Sequence, residues 1–397
     1  MGAVEPVANA VVELLIDERF EEVAGRFAAG LRAAVSAWAL RAAWATAVAA
    51  HGPAVLAGTA AVEPVQAGLV QVRVPVGGFD VVMSVGEDGL VHGLRLTPAA
   101  DSVWTPPSYA DPSAFTEREI TLGAAGATVT APVAGCGAGV VLLAGGGPFD
   151  RDETSGPNKP LKDLAWGLAG RGVAVVRFDK LTHEHAAGFT MTDEYVPFAL
   201  EALDVLRRQP GVTRVFVAGH SMGGKVAPRV AEADPAVAGL VILAGDAQPM
   251  HHAAVRVARY LGLDGSIVER FARQASLVDS ARLTSRTPSA DLPFGWPASY
   301  WLDLRGYDPV ATTARLTTPV FLAQGGRDYQ VTVADDLSCW LAGLTGRPGV
   351  TSKVYETADH LFMPGQGRST AADYARPGHV DAAVVADVAE WVARTGA

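Results

Sequence analysis

The feature that most constrains the fold is a series of short apolar runs separated by helical patterns. The runs are four to six residues long, which suits strands buried on both faces better than helices. They lie at Val140–Leu143, Val173–Phe178, Val215–Ala218, Leu240–Leu243, Pro319–Leu322 and Val350–Tyr355. Strands that alternate with helices in this way predict an α/β fold with a doubly wound, mostly parallel sheet.

The beginning of the chain follows a different pattern. Residues 5–49 have helical character, and apolar residues recur at helical spacing over Leu31–Ala49, which predicts one continuous helix there. From Val55 onward the apolar period is two. Strands are therefore expected at Val70–Val76, Phe79–Val85 and Leu90–Leu96. Helices followed by an antiparallel meander predict a small α+β domain.

These two patterns divide the chain. Because 397 residues exceed what one hydrophobic core usually organises, two domains are expected. We predict an N-terminal accessory domain over residues 1–100, a proline-rich linker over 101–113 and a catalytic domain over 114–397. The interval 247–312 interrupts the alternation of strands and helices with two helix-like stretches and several aromatic residues. It is expected to form a cap over a ligand site.

Charge and cysteine content exclude several classes of protein. A net charge of −10 disfavours nucleic acid and anionic membranes as partners. No apolar stretch is long enough for a transmembrane helix, and the N-terminus lacks the basic region of a signal peptide, so a cytoplasmic location is expected. Cys136 and Cys339 are too far apart for a disulfide scaffold or a thiolate metal cluster, so two buried, reduced thiols are predicted.

The chemistry centres on Gly219-His220-Ser221-Met222-Gly223. This is a G-x-S-x-G pattern, and it lies between the predicted strand Val215–Ala218 and a predicted helix at Gly224–Asp234. That context is typical of a nucleophile elbow, in which glycines permit a strained turn that exposes the serine hydroxyl. The alternative is an ordinary glycine-lined turn with a capping serine.

A nucleophilic serine requires a base and an orienting carboxylate. Elimination among the nine histidines leaves His360, in a loop after the final strand. Asp328 follows the strand before it, and this gives the order Ser…Asp…His that the fold requires. Asp359 is the rival carboxylate, although its adjacency to His360 gives poor geometry. The oxyanion donors are expected to be the amides of Met222 and Gly146.

These motifs resemble the α/β-hydrolase superfamily, in the branch of serine esterases and acyl-peptidase-like enzymes that carry a small N-terminal α+β domain. The resemblance extends over nearly the whole chain. It is strongest at Gly147–Glu153, Asn158–Pro160, Gly219–Gly224, Ala227–Arg229, Tyr300–Leu304, Tyr307–Pro309, Gln324–Asp328 and Asp359–Pro364. It implies an α/β-hydrolase sheet with a helical cap, a Ser-Asp-His triad, and hydrolysis of esters, thioesters or acyl amides without a cofactor.

Three positions depart from the family pattern. Ala144 stands where a histidine commonly braces the oxyanion loop, and Leu181 replaces a basic residue. Lys225 lies where an apolar side chain is expected, either extending along the helix to water or binding an acidic substrate. The substrate-binding candidates are Gly147, Lys225, Trp296, Tyr300 and Trp301. The aromatic residues among them are also consistent with simple packing inside the cap.

No metal site is predicted. The acidic cluster Asp150–Glu153 contains Arg151, which is expected to pair within the cluster and to fix the oxyanion loop. The pairs His183/His185 and His251/His252 lack a companion carboxylate or cysteine pattern. The glycines at 145–147 do not continue into a dinucleotide-binding fingerprint, because position 150 is aspartate.

The sequence therefore predicts a serine hydrolase acting on a small-molecule acyl substrate. One alternative keeps the fold but excludes water, as in a biosynthetic acyltransferase, cyclase or lyase. A binding or scaffold protein with a vestigial site is a third class, which the complete triad disfavours. The N-terminal domain has two open roles. It is either a dimerisation or docking module, which would make the protein a homodimer, or one wall of the active-site entrance.

Overall fold

The structure is a computed structural model, and it describes residues 4–51, 54–58, 60–66, 69–98, 104–180 and 188–396. His183, His185 and Leu181 lie outside the described residues, as does the start of the predicted linker. The chain divides into two compact units. One comprises Met1–Trp104 with the short segments Ser155–Asn158 and Thr370–Pro377, and the other comprises the remainder of the chain.

Within its described residues, the N-terminal unit contains four helices followed by a four-stranded antiparallel sheet, which confirms the predicted order of helices and an antiparallel meander. The helices are α1 (Val4–Ile16), α2 (Phe20–Gly25), α3 (Ala29–Ala34) and α4 (Ala37–His51). The strands are β1 (Ala61–Gln66), β2 (Leu69–Val76), β3 (Phe79–Gly86) and β4 (Val91–Pro98), hydrogen-bonded in that order. Alternate residues of β2 are buried against the helices, which explains the apolar period of two.

One helix expected in this unit is broken. The prediction of a continuous helix over Leu31–Ala49 is wrong, because α3 ends at Ala34 and Val35 takes an extended conformation. The side chain of Ser36 accepts a hydrogen bond from the amide of Ala39 at 3.1 Å. This is an N-cap interaction, so Ser36 starts a new helix within the apolar spacing instead of continuing the old one.

The larger unit is built on an eight-stranded sheet, and its mostly parallel topology confirms the predicted α/β-hydrolase fold. The strands are β5 (Phe115–Leu122), β6 (Ala125–Pro132), β7 (Ala138–Leu143), β8 (Val173–Phe178), β9 (Arg214–His220), β10 (Gly239–Leu243), β11 (Val320–Gly325) and β12 (Val350–Tyr355). Their order across the sheet is β12-β11-β10-β9-β7-β8-β6-β5. Strands β7 to β12 pair in parallel, whereas β5 and β6 are antiparallel additions at one edge.

Helices cover both faces of this sheet. One face packs against α5 (Pro160–Ala169) and α13 (Ala382–Arg394). The other packs against α6 (Met191–Arg207) and α7 (Met222–Ala233). The inner strands are buried on both faces, but β12 is an edge strand with Thr351, Ser352 and Lys353 exposed. Burial of β12 on both faces was therefore a wrong expectation.

The interval between β10 and β11 contains four helices, where two helix-like stretches were predicted. They are α8 (Met250–Tyr260), α9 (Gly265–Asp279), α10 (Ala298–Arg305) and α11 (Pro309–Arg315). After β11, a π-helical turn at Val333–Leu337 leads into α12 (Ser338–Gly343). Within the described residues, no helix combines the length and the apolar character needed to cross a bilayer.

Candidate active site

Ser221 lies in a strained turn between β9 and α7. Its backbone angles are φ 51° and ψ −118°, which a side-chain-bearing residue rarely adopts. The turn is tight enough to require glycine on either side. A Cβ at Gly219 would collide with the backbone of Gly223, and a Cβ at Gly223 would collide with the carbonyl oxygen of Leu143. The backbone thus has the conformation of a nucleophile elbow, with Ser221 partly exposed.

His360 and Asp328 form a buried pair beside this turn. The Nδ1 of His360 lies 2.7 Å from Oδ2 of Asp328. The other carboxylate oxygen of Asp328 accepts hydrogen bonds from the amides of Gln330 and Val331 at 2.8 and 3.0 Å. The orientation of the carboxylate is therefore fixed on both sides, which fixes in turn the orientation of the imidazole.

The rival carboxylate, Asp359, has a different environment. Its Oδ1 accepts hydrogen bonds from the amides of Leu361 and Met363, each at 3.0 Å. Burial raises the pKa of Asp359 above its ordinary value. Asp359 therefore shapes the loop that carries His360, while Asp328 is the carboxylate that contacts the imidazole.

His220, the residue before Ser221, lies against His360. The two rings are 4.6 Å apart, and Nε2 of His220 is 2.7 Å from the carbonyl oxygen of His360. Its Nδ1 is 2.8 Å from Oε1 of Glu153. Burial lowers the pKa of His220, but the charge and hydrogen bond of Glu153 outweigh that effect, and the pKa is raised overall. Since both ring nitrogens face acceptors, the protonated imidazolium satisfies both contacts.

Glu153 connects this histidine to the glycine-rich loop after β7. The same oxygen that contacts His220 accepts a hydrogen bond from the amide of Gly145 at 2.7 Å. The Gly145 amide is therefore occupied, whereas Gly146 remains free of this contact. A Cβ built on Gly146 would lie 3.5 Å from Cβ of Met222. Because α7 begins at Met222, its amide has no acceptor within the helix, and Met222 lies next to Gly146.

Two buried side chains also hold this loop through hydrogen bonds to the carbonyl oxygen of Gly145. The Nζ of Lys180 donates to the carbonyl oxygen of Gly145 at 2.6 Å, and the hydroxyl of Tyr195 donates to the same oxygen at 2.9 Å. Lys180 is paired with Glu194 at 3.4 Å, and Glu194 accepts a hydrogen bond from Tyr300 at 2.7 Å. Burial lowers the pKa of Lys180. These contacts, with that of Glu153, hold the loop where the family's histidine is replaced by alanine.

The predicted internal pairing of Arg151 is wrong. Arg151 instead forms an ion pair with Asp179 at 2.6 Å and a second one with Glu119. Asp152 pairs with Arg177 and Lys159, each at 2.8 Å. The acidic cluster does contact the oxyanion loop, but through Glu153. The reason is that Arg177 lies on strand β8 and Asp179 just after it, at positions that sequence proximity does not reveal.

Both interpretations of Lys225 are also incorrect. Its ammonium group is buried, lies 2.7 Å from Oδ2 of Asp246 and donates to the carbonyl oxygen of Gln248 at 2.8 Å. The lysine neither reaches water nor offers a free cation to a substrate. Asp246 follows the end of β10, so this ion pair joins the neighbouring strand to helix α7.

The predicted aromatic substrate residues fall into two groups. Tyr300 and Trp301 are completely buried and belong to the core, so direct contact with a substrate is not supported for them. Trp296 is partly buried, and its ring lies 3.6 Å from a Cβ built on Gly146. Met250 is similarly close, at 3.2 Å. Gly147 has φ 125°, a backbone conformation that glycine adopts easily and other residues rarely do.

Two further predictions require correction. Cys136 and Cys339 are free thiols, but both are partly exposed instead of buried. His251 and His252 do have a companion carboxylate, because Asp279 on α9 lies within 2.9 Å of both rings.

A cavity of about 460 Å³ lies beside Asp328 and is lined in part by Arg256 and Tyr260, but not by Ser221.

Known proteins provide an independent comparison. Residues 159–291 match the model of the family described as serine aminopeptidase, S33. Over 325 residues the chain is 35% identical to Esterase EstD of Thermotoga maritima, covering 80% of this chain and 77% of that esterase.

Two solved structures are also similar to this chain. An esterase of Pyrococcus furiosus has a TM-score of 0.48 at 18% identity, over 76% of this chain and 98% of that one. A proline iminopeptidase of Mycobacterium smegmatis has a TM-score of 0.45 at 18% identity, over 70% of this chain and 98% of that one. Given its sheet order and its 35% identity to Esterase EstD over most of both chains, this chain belongs to the α/β-hydrolase superfamily, in the branch that contains that esterase, and is an enzyme of the hydrolase class.

Proposed function

We propose that this enzyme is a serine esterase that hydrolyses carboxylic esters through a covalent acyl-enzyme intermediate. The observation that carries the proposal is the 2.7 Å contact between His360 and Asp328, with His360 packed against His220, the residue before a serine held at φ 51°. A strained, partly exposed serine and an oriented imidazole are the two components that nucleophilic acyl transfer requires. The esterase relative favours esters over the thioesters and acyl amides that the same chemistry would serve.

In the proposed acylation step, Ser221 Oγ attacks the ester carbonyl while Nε2 of His360 takes the hydroxyl proton. Asp328 accepts a hydrogen bond from the Nδ1–H of His360 and stabilises the imidazolium without taking up the proton. The carbonyl oxygen becomes an oxyanion that accepts hydrogen bonds from the amides of Met222 and Gly146. Collapse of the tetrahedral intermediate breaks the ester C–O bond, and His360 returns its proton to the leaving alcohol.

Deacylation repeats these steps with water. His360 removes a proton from a water molecule that attacks the acyl-Ser221 carbonyl, and the same two amides stabilise the second oxyanion. The proton then returns to Ser221 Oγ as the free acid leaves. No cofactor takes part in either step. Because Lys225 is buried in an ion pair with Asp246, we do not assign it a role in binding an acidic substrate.

Hydrolysis of p-nitrophenyl esters by three variants tests this assignment. Ser221→Ala is expected to abolish turnover, and Asp328→Asn is expected to lower kcat about 10⁴-fold because the imidazole loses its orienting carboxylate. Ser352→Ala, in the exposed part of β12, is the matched control and should retain wild-type activity. Unchanged turnover by Ser221→Ala would rule out the proposal.

A further inference from the structure

A cluster of side chains in the cap lies outside the catalytic machinery. It consists of His251 and His252 in the first turn of α8 and Asp279 at the end of α9. Nε2 of His251 lies 2.8 Å from Oδ1 of Asp279, and Nε2 of His252 lies 2.9 Å from Oδ2 of the same carboxylate. The two imidazole rings are 4.5 Å apart. Three potential ligands thus converge from two helices.

We propose that His251, His252 and Asp279 bind a divalent transition-metal ion of the zinc class. Imidazole nitrogen and carboxylate oxygen are ligands that Zn²⁺ accepts, and water would fill the fourth position. With metal–ligand distances near 2.1 Å, tetrahedral geometry places ligand atoms roughly 3.4 Å apart. The three candidate ligand atoms here lie within 4.8 Å of one another, so small ring rotations bring them to that separation.

The environment supports a site that is both fixed and accessible. His251 is only 4% exposed, and its ring packs edge-on against Trp301 at 5.9 Å. His252 and Asp279 have about half of their side-chain surface exposed, at 53% and 48%. The end of α9 is held by Arg305, which donates to the carbonyl oxygens of Val278 and Ser280. An ion therefore has an entry path, while one ligand and the backbone of another are held in place.

A bound metal ion would join two helices of the cap, α8 and α9, and α8 begins next to Gly146 of the oxyanion loop. Met250, which precedes His251, contributes the methyl group that lies 3.2 Å from a Cβ built on Gly146. Tying the first turn of α8 to α9 would therefore restrict the helix end that covers this glycine. We assign the ion a structural role in the cap, because Ser221, His360 and Asp328 are not among its ligands. Metal binding itself does not depend on the proposed esterase activity.

Zinc titration by calorimetry tests the site directly. The protein is used without a polyhistidine tag, after dialysis against a chelator, and Mg²⁺ serves as a comparison ion because it prefers oxygen ligands. The wild type is expected to bind one equivalent of Zn²⁺ per chain and no Mg²⁺. His252→Ala and Asp279→Asn should each weaken zinc binding by about tenfold or more. Glu269→Gln, an exposed carboxylate elsewhere on α9, should bind as the wild type does.

Thermal unfolding provides a second measurement. Zn²⁺ should raise the Tm of the wild type and of Glu269→Gln but leave that of Asp279→Asn unchanged, because an ion that binds only the folded state stabilises it. Absence of zinc binding by the wild type would overturn the proposal. Equal binding by Asp279→Asn would also overturn it, since the ion would then be bound by other ligands, such as the free thiols. Both results are independent of ester hydrolysis.

Discussion

Replacement of Glu153 by glutamine tests the idea that a buried ion pair holds the oxyanion loop. One oxygen of Glu153 accepts from Gly145 at 2.7 Å and contacts His220 at 2.8 Å. Glutamine keeps the shape and an acceptor but removes the charge. Hydrogen bonds to charged groups contribute about 1 kcal/mol more than neutral ones, so the two contacts together lose about 2 kcal/mol. For a domain of this size, that loss corresponds to a Tm decrease of roughly 4–8 °C.

The same substitution should reduce catalysis. Complete removal of one oxyanion donor typically lowers kcat by about 10²–10³-fold. Because glutamine still supports the loop in part, we expect a decrease in kcat of about tenfold in Glu153→Gln. KM should change little, since the donors act mainly on the transition state.

The stability difference should also depend on pH. The pKa of His220 is raised above its ordinary value of 6.5, so protonation stabilises the folded state. That contribution is complete below the pKa of the unfolded chain and is lost as the pH rises through the folded-state pKa. The Tm difference between wild type and Glu153→Gln should therefore be largest below about pH 6.5 and should decrease at higher pH.

Thermal unfolding and ester hydrolysis, each measured across this pH range, provide the assay. Asp387→Asn is the control, because Asp387 accepts from Tyr355 at 2.7 Å and pairs with Lys353, far from the serine along the chain. This control should lower the Tm without lowering kcat. Wild-type kcat in Glu153→Gln, together with a Tm difference that does not vary with pH, would refute the reasoning.

Three further substitutions have distinct expected outcomes. Lys180→Met removes the cation paired with the buried Glu194, so we expect the free energy of unfolding, measured by denaturant titration, to fall by about 3–5 kcal/mol. We also expect kcat to decrease. Trp296→Ala removes the ring above Gly146, so kcat/KM should rise for longer acyl chains relative to acetate in a p-nitrophenyl ester series; an unchanged chain-length profile would contradict this placement. Asp359→Asn should retain kcat within about tenfold, because its carboxylate orients a loop and not the imidazole.

The overall fold and the contact between Asp328 and His360 could be predicted from local sequence patterns. Six of the eight strands of the larger sheet coincide with an apolar run in the sequence, and residues that follow the carboxyl ends of parallel strands gather at one edge of the sheet. This is why the chain order alone placed Asp328 and His360 correctly with respect to each other. Choosing Asp328 over its rival Asp359 as the orienting carboxylate required only the argument that Asp359 is adjacent to His360 in the chain.

The supporting contacts were not predictable in the same way. Glu153 and His220 are separated by 67 residues, and Lys180 and Gly145 by 35, and neither pair forms a known spacing pattern. Charged side chains are rarely buried without a partner, but only the fold determines which partners they take. A useful signal was nevertheless present, because Ala144 lacks the family's bracing side chain and implies that other groups brace the loop.

Mapping the adduct of a fluorophosphonate probe tests the central claim most directly. The probe phosphonylates an activated serine, and intact-protein and peptide mass spectrometry identify the modified residue. The account predicts one adduct per chain, located on Ser221, absent in Ser221→Ala and formed much more slowly in Asp328→Asn. An adduct on a different residue, or equal labelling of Ser221→Ala, would contradict it.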